Sequence, residues 1–368
     1  MTRIYVSCRR ILAVLSLLLA GSLQDSARAQ QLEAPSVVPA IDGILKAFQN
    51  HALVAIGDDH NSAQEEDFYA ALVRDPRFST EVGNVVVEFG GAAQQDTLDR
   101  YLNGQQVSYA DLRNVWTDVV GWIPTVTGLG YANFFAQVRA VNLGLPPDRR
   151  IHVWLGEPPI DWSKIKTKAD FQPILAQRDT HAAHVIEKHI LEPGKKAIVI
   201  YGGLHFYNNI GLRKLVEKKY PNAFFIVALY TGYATKSCTA NFEQTVLDWQ
   251  APALATPIRG TSLENKLYRN DCDVEPRTSL PLGPSMSEAQ KAQLSEALER
   301  MLSGVDSDAL LFLGKAETLT RTPMEPSIYL DLNFRQEIER RQKIAFGESL
   351  TDSTVKENPV SPNYIHPR

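Results

Sequence analysis

The chain has 368 residues, of which 44% are hydrophobic and 22% charged, a balance that fits a folded protein and excludes disorder as the dominant state. Its length suffices for one large α/β domain or two ordinary ones, with a core that needs no metal or disulfide staple. Of its 38 basic and 42 acidic side chains, four Arg and one Asp fall in residues 1–29, which leaves 34 against 41 and a net charge of −7 on the remainder; that argues against a nucleic-acid partner, whose phosphates require a basic surface.

Residues 1–29 read as an export signal peptide. Arg3, Arg9 and Arg10 precede an apolar run from Ile11 to Gly21, and Ala27-Arg28-Ala29 supplies the small-x-small pattern for cleavage after Ala29. The run is about half of the roughly 20 residues that span a bilayer, and no later stretch approaches that length. Cys8 precedes the run, whereas a lipoprotein carries its Cys after it. The mature chain is expected to be exported, periplasmic or secreted, with no integral membrane segment. Beyond it, short β-branched runs alternate with longer amphipathic ones, the pattern of a mostly parallel sheet with helices on both faces. Strands are expected at Leu53 to Ile56, Asn84 to Phe89, Ile151 to Leu155, Ala197 to Tyr201, Ala223 to Leu229 and Ala309 to Leu313. The intervening helices are expected near Ala63 to Arg74, Gln94 to Leu102, Tyr109 to Val119, Tyr131 to Asn142, Arg178 to Ile190 and Asn209 to Lys219. From about 231 to 287 the pattern weakens, which reads as an insertion in an α/β domain of residues 30–347. Cys238 and Cys272 are an even pair in an oxidising compartment, so a disulfide is expected to staple that insertion. A helix from Ser287 to about Met301 and another around Leu332 to Ile344 follow, and residues 348–368, with three Pro and little apolar material, read as a flexible tail.

In an open parallel sheet, ligands bind beyond the carboxyl ends of the strands. The first expected strand leads to Gly57-Asp58-Asp59-His60, the second ends in Glu88-Phe89-Gly90-Gly91, the third runs into Gly156-Glu157-Pro158 and the fourth into Gly202-Gly203-Leu204-His205. Four consecutive strands thus deliver His or carboxylate to one edge. Singly, Asp58 and Asp59 read equally well as helix caps, and a lone His as a hydrogen-bonded structural residue. Two Gly-x-x-His stretches in equivalent positions are a stronger signal, the Gly being expected to turn the backbone tightly while the His is aimed over the sheet edge.

Gly57-x-x-His60, the strand-end Glu88 and Gly202-x-x-His205 together resemble the superfamily that groups erythromycin esterases, ChaN-like haem-uptake proteins, Tiki proteins and the TraB/PrgY group. The resemblance spans roughly residues 45–232. In the erythromycin esterase branch a Glu follows the first Gly and a later helix opens with Arg-Asp. Arg178-Asp179 matches the second feature, whereas Asp58 stands in place of the Glu, which leaves the position and role of that acid open.

Chemically the set suffices for hydrolysis of an ester or amide bond in a small molecule or peptide. His60 or His205 is expected as general base, Glu88 as the residue that holds the imidazole or the water, and Arg178 as oxyanion stabiliser, with Asp58, Asp59, Glu157 and Asp179 lining the substrate. A second reading uses His60, Glu88 and His205 as ligands of a divalent metal such as Mn, Zn or Co. A third, implied by the ChaN-like resemblance, is a non-enzymatic protein that binds haem or another iron compound. His181 and His184 read as solvated helix-face residues. Of the aromatics from Trp116 to Trp162, including Tyr131, one or two are expected to touch a ligand.

Overall fold

Alternation along the strands decides the layering. In the computed structural model, which describes residues 32–121, 128–206, 211–232, 236–267 and 306–347, eight strands form one sheet: β1 (Ser36–Pro39), β2 (Leu53–Asp58), β3 (Asn84–Gly91), β4 (His152–Glu157), β5 (Ala197–Gly202), β6 (Phe224–Leu229), β7 (Ala253–Thr256) and β8 (Ala309–Phe312), in the spatial order β1-β7-β8-β6-β2-β5-β3-β4. The six expected strands make a continuous parallel block from β8 to β4. Val54, Ile56, Val85, Val87, Ile198 and Ile200 turn to one face, and Leu53, Ala55, Val86, Ala197 and Val199 turn to the other. Both sets are fully buried, so helices must cover both sides.

The first face is covered by α1 (Ala40–Ala47), α2 (Ala63–Arg74), α3 (Gln95–Leu102), α4 (Tyr109–Thr117) and α5 (Leu129–Leu143), which contribute Ile44, Phe68, Leu98, Trp116 and Phe135 among others. Further along the chain come α6 (Lys168–Leu175), α7 (Arg178–Ile186) and α8 (Gly211–Glu217). Of these, α7 and α8 cover the second face with Ala182, Ile186, Leu212 and Val216. The helix expected to run from Arg178 to Ile190 leaves α geometry after Ile186 and finishes as a π turn, Glu187–Leu191. The last helices are α9 (Lys236–Gln244), α10 (Ser262–Leu267) and α11 (Leu332–Phe346). Among the described residues, no helix is long and apolar enough to cross a membrane.

The segment 231–287 departs from its reading as an insertion. Its residues 253–256 are β7, which pairs antiparallel with both β1 and β8 inside the sheet. Four residues, Ala-Leu-Ala-Thr, between Pro252 and Pro257 carry too little β-branched character to announce a strand; pairing on both sides supplies what propensity does not. Cys238 is buried on α9. Its expected partner Cys272, the helix from Ser287, residues 1–29 and residues 348–368 lie outside the described residues.

Two amide side chains fix the far margin, where β4 is the last strand. Gln95, at the start of α3, donates to Val153 O and accepts from Leu155 N, both at 2.9 Å. Asn142, near the end of α5, donates to Ile151 O at 2.9 Å and accepts from Ile151 N at 2.8 Å. Asn142 is 1% exposed, so neither group of Ile151 can turn to water instead. Asn142→Ala is expected to destabilise the fold by about 2–4 kcal/mol, the desolvation cost of two stranded backbone groups, read from the midpoint of urea denaturation at unchanged m-value.

Candidate active site

β2, β5, β3 and β4 are neighbours, and their carboxyl ends and the turns that follow gather Asp58, His60, Glu88, Glu157 and His205, to which the first turn of α7 adds Arg178 and Asp179. The turn after β2 is left-handed at His60 (φ 49°) and Asn61 (φ 59°), a region costly for residues with a Cβ. It brings His60 Nδ1 within 2.8 Å of Asp58 Oδ2. The motif glycines do not make these turns: Gly57 and Gly202 both keep negative or extended φ. Gly57 instead permits close packing, since a Cβ there would lie 3.2 Å from Gly203 Cα.

Asp58 is 5% exposed and has two more donors, Tyr131 Oη to Oδ2 at 2.6 Å and Tyr69 Oη to Oδ1 at 3.2 Å. The single Tyr69 hydroxyl proton is shared with Glu65 Oε1, at 2.5 Å. Burial alone would lower the His60 imidazole, but the charge and hydrogen bond of Asp58, helped by Glu88 and Asp59, outweigh it and lift the group to about 9.

After β5, a short 3₁₀ turn, Gly203–Phe206, presents His205. Its Nδ1 bonds Asp179 Oδ1, and its Nε2 lies 3.5 Å from Glu88 Oε1. Burial again opposes the charge, and the bonds to Asp179 and Glu88 again win, holding His205 at about 9. Because both ring nitrogens face carboxylates, both carry protons: a lone pair turned to either acid would be repelled. His205 is thus a fixed imidazolium. His60 differs, for its Nδ1 bonds Asp58 while its Nε2 lies 3.3 Å from the place a Gly202 Cβ would occupy, a point that Glu88 Oε2 borders at 3.4 Å.

Glu88 is 3% exposed and bonded at both oxygens. Oε1 accepts from Arg178 Nη2, and Oε2 accepts the Gly202 N–H at 2.5 Å. Burial would raise its pKa, but His205, His60 and Arg178 hold it far below the usual carboxylate range. Arg178 Nε donates to Glu157 Oε1 at 2.7 Å, and Glu157 Oε2 accepts the Val120 N–H at 3.1 Å. Burial outweighs Arg178 at Glu157 and pushes it up to about 7.

This geometry revises several expectations. Arg178, bound to two carboxylates, positions Glu88 and Glu157 and is not directed at a developing oxyanion. Glu157 is 1% exposed and cannot line a substrate, whereas Asp59 is exposed at the rim, its backbone N–H donating to Glu65 Oε2 at 3.1 Å. Asp179 orients His205. His181 is not merely solvated, since its Nδ1 donates to Gly156 O at 2.9 Å; His184 is exposed. The residues that sequence reasoning missed are Tyr69 and Glu65, and it gave Tyr131 no specific role; all three come from helix positions without a local motif.

The donor set does not suit Mn, Zn or Co. A cation at His60, Glu88 and His205 would have to draw a His205 nitrogen away from the carboxylate it faces, and among the described residues no group of three or more His, Cys, Asp or Glu is arranged to hold a metal ion. Tyr201, the penultimate residue of β5, is 1% exposed with its hydroxyl packed against Gly156.

No family model and no curated protein matches the chain. Among solved structures, it is similar to the type III effector HopBA1 (14% identity, TM-score 0.34, 57% of this chain and 90% of that one). It is also similar to ChaN of Campylobacter jejuni, described with cofacial haem binding (14%, 0.34, 53% and 87%), and to a Bacillus cereus protein (12%, 0.35, 52% and 70%). At such identities and TM-scores the chemistry has to be read from the residues themselves.

Arg178 offers the sharpest stability test. Removing it leaves Glu88 and Glu157 buried without their shared cation, a change that costs about 3–5 kcal/mol in comparable buried pairs. Arg178→Ala is expected to lower the thermal midpoint more than His60→Ala, which leaves the buried Asp58 its two tyrosine donors.

Proposed function

We propose that the chain is an exported hydrolase of an ester or amide bond in a small molecule or peptide, with His60 as its general base. The observation that carries this reading is the asymmetry of the two Asp–His pairs. His205 is tied at both nitrogens, and His60 has Asp58 on Nδ1 with Nε2 turned to Gly202.

In the proposed reaction, neutral His60 accepts a proton at Nε2 as water oxygen bonds to the carbonyl carbon. Asp58, itself held by Tyr69 and Tyr131, stabilises the imidazolium that forms. The His205 imidazolium, both of whose N–H groups are held by Asp179 and Glu88, has none to donate to the carbonyl oxygen and acts on the charge that develops there through its own positive charge. Collapse breaks the bond to the leaving oxygen or nitrogen, which takes the proton back from His60 Nε2. Water supplies the hydroxyl to the acid and the proton to the leaving group.

The pH dependence has a definite sign. His60 must be deprotonated to act, and its pKa is lifted to about 9, so kcat/KM is expected to rise about tenfold per pH unit above neutrality. Loss of the His205 proton, also at about 9, ends the rise, and the coupled pair gives a maximum near that pH. Asp58→Asn removes the main charge raising His60, so the ascending limb moves to lower pH. The measurement is a pH–rate profile on p-nitrophenyl esters and peptides, with EDTA present throughout. Turnover that survives His60→Ala defeats the reading, and a Soret shift with hemin that depends on His60 or His205 favours a haem-binding protein instead.

Export is part of the same proposal, and it carries the Cys238–Cys272 disulfide with it. Protein recovered from the periplasm or medium is expected to begin at Gln30 and to resist alkylation at both cysteines until reduced, as intact mass would register.

A further inference from the structure

The side chain that Gly202 lacks bears on where the nucleophile sits. A Cβ on Gly202 would stand 3.3 Å from His60 Nε2, 3.4 Å from Glu88 Oε2 and 3.6 Å from His60 Cε1. The open face of this Cα therefore borders both the base and the buried carboxylate. The Gly202 N–H fixes that carboxylate oxygen at 2.5 Å, and the oxygen keeps a second lone pair. A water molecule has two protons, and here two acceptors converge, the neutral imidazole nitrogen and a carboxylate oxygen. Donating one proton to each leaves its own lone pairs turned away from both.

We infer that the side-chain-free face of Gly202 seats the attacking water, between His60 Nε2 and Glu88 Oε2. This rests on the hydrolase reading and gives Glu88 a task within it: orienting the nucleophile from the side opposite the base. It also separates Gly202 from its neighbour. Gly203 has nothing within 4 Å of the place a Cβ would occupy, so a methyl group there enters open space.

The test compares Gly202→Ala with Gly203→Ala. At Gly202 φ is not positive and the new contacts are at 3.3 Å or more, so alanine fits with a small adjustment. Gly202→Ala is expected to lower kcat about 100-fold with KM little changed, the scale of loss when a reacting group is misplaced, and Gly203→Ala to leave kcat at the wild-type value. Full turnover in Gly202→Ala beside an inactive His60→Ala overturns the water seat and spares the hydrolase reading; full turnover in both defeats the reading itself. NMR of the His60 ring gives a readout independent of activity. The methyl displaces a hydrogen-bond partner of the imidazolium, so the His60 titration midpoint is expected to fall in Gly202→Ala and stay fixed in Gly203→Ala. An unchanged midpoint in both overturns the inference. Should Gly202→Ala not fold, the wild type decides through the cross-relaxation between water and the His60 ring proton, whose absence counts against the seat.

Discussion

A guanidinium held between two carboxylates that the sheet buries is the constraint on which the site depends. Glu88, three residues before the end of β3, and Glu157, the last residue of β4, are both nearly inaccessible; without Arg178 their charges would repel one another in a medium that screens poorly. Satisfying both draws the first turn of α7 over the ends of β3 and β4. Asp179 follows in the chain and so reaches His205 across from β5. One ion-pair triad thereby sets the relative positions of three strands and a helix, and the second Asp–His pair is a by-product of that placement.

The two Gly-x-x-His stretches look equivalent in sequence and are not equivalent in the molecule. His60 takes its acid from the same strand, two residues back, through a left-handed turn; His205 takes its acid from a helix opposite. The first arrangement leaves one nitrogen turned to Gly202, and the second leaves none without a carboxylate nearby. Similar spacing has yielded one adaptable imidazole and one held as a cation.

How much of this the sequence discloses follows from where each signal resides. The six parallel strands are legible because doubly covered strands must be apolar without alternation, and the polar residues at their ends stand out against them. β1 and β7 are illegible because four residues each, one set bounded by Pro39 and the other by two prolines, carry no such run. Strand-end His and Glu could be assembled by topology alone. Tyr69 and Tyr131 could not, since they approach Asp58 from helices α2 and α5 whose other aromatic residues simply fill the core. The same limit explains why Arg178 reads as a catalytic cation from its motif. Its true neighbours, Glu88 and Glu157, lie 90 and 21 residues away, and only the folded sheet reveals that both of its bonded nitrogens are already occupied.

The Gln95 amide on β4 acts as a counterfeit strand. By accepting from one residue and donating to the carbonyl two positions earlier, it reproduces the bonding that a neighbouring parallel strand would offer. An uncovered outer strand is a template for another chain, and at 153–155 that template is already filled from within the same molecule. The opposite margin, β1, is brief and ends in Pro39. Sheet growth from copy to copy is therefore discouraged at both ends, and the protein can keep eight strands side by side without becoming the seed of a fibre.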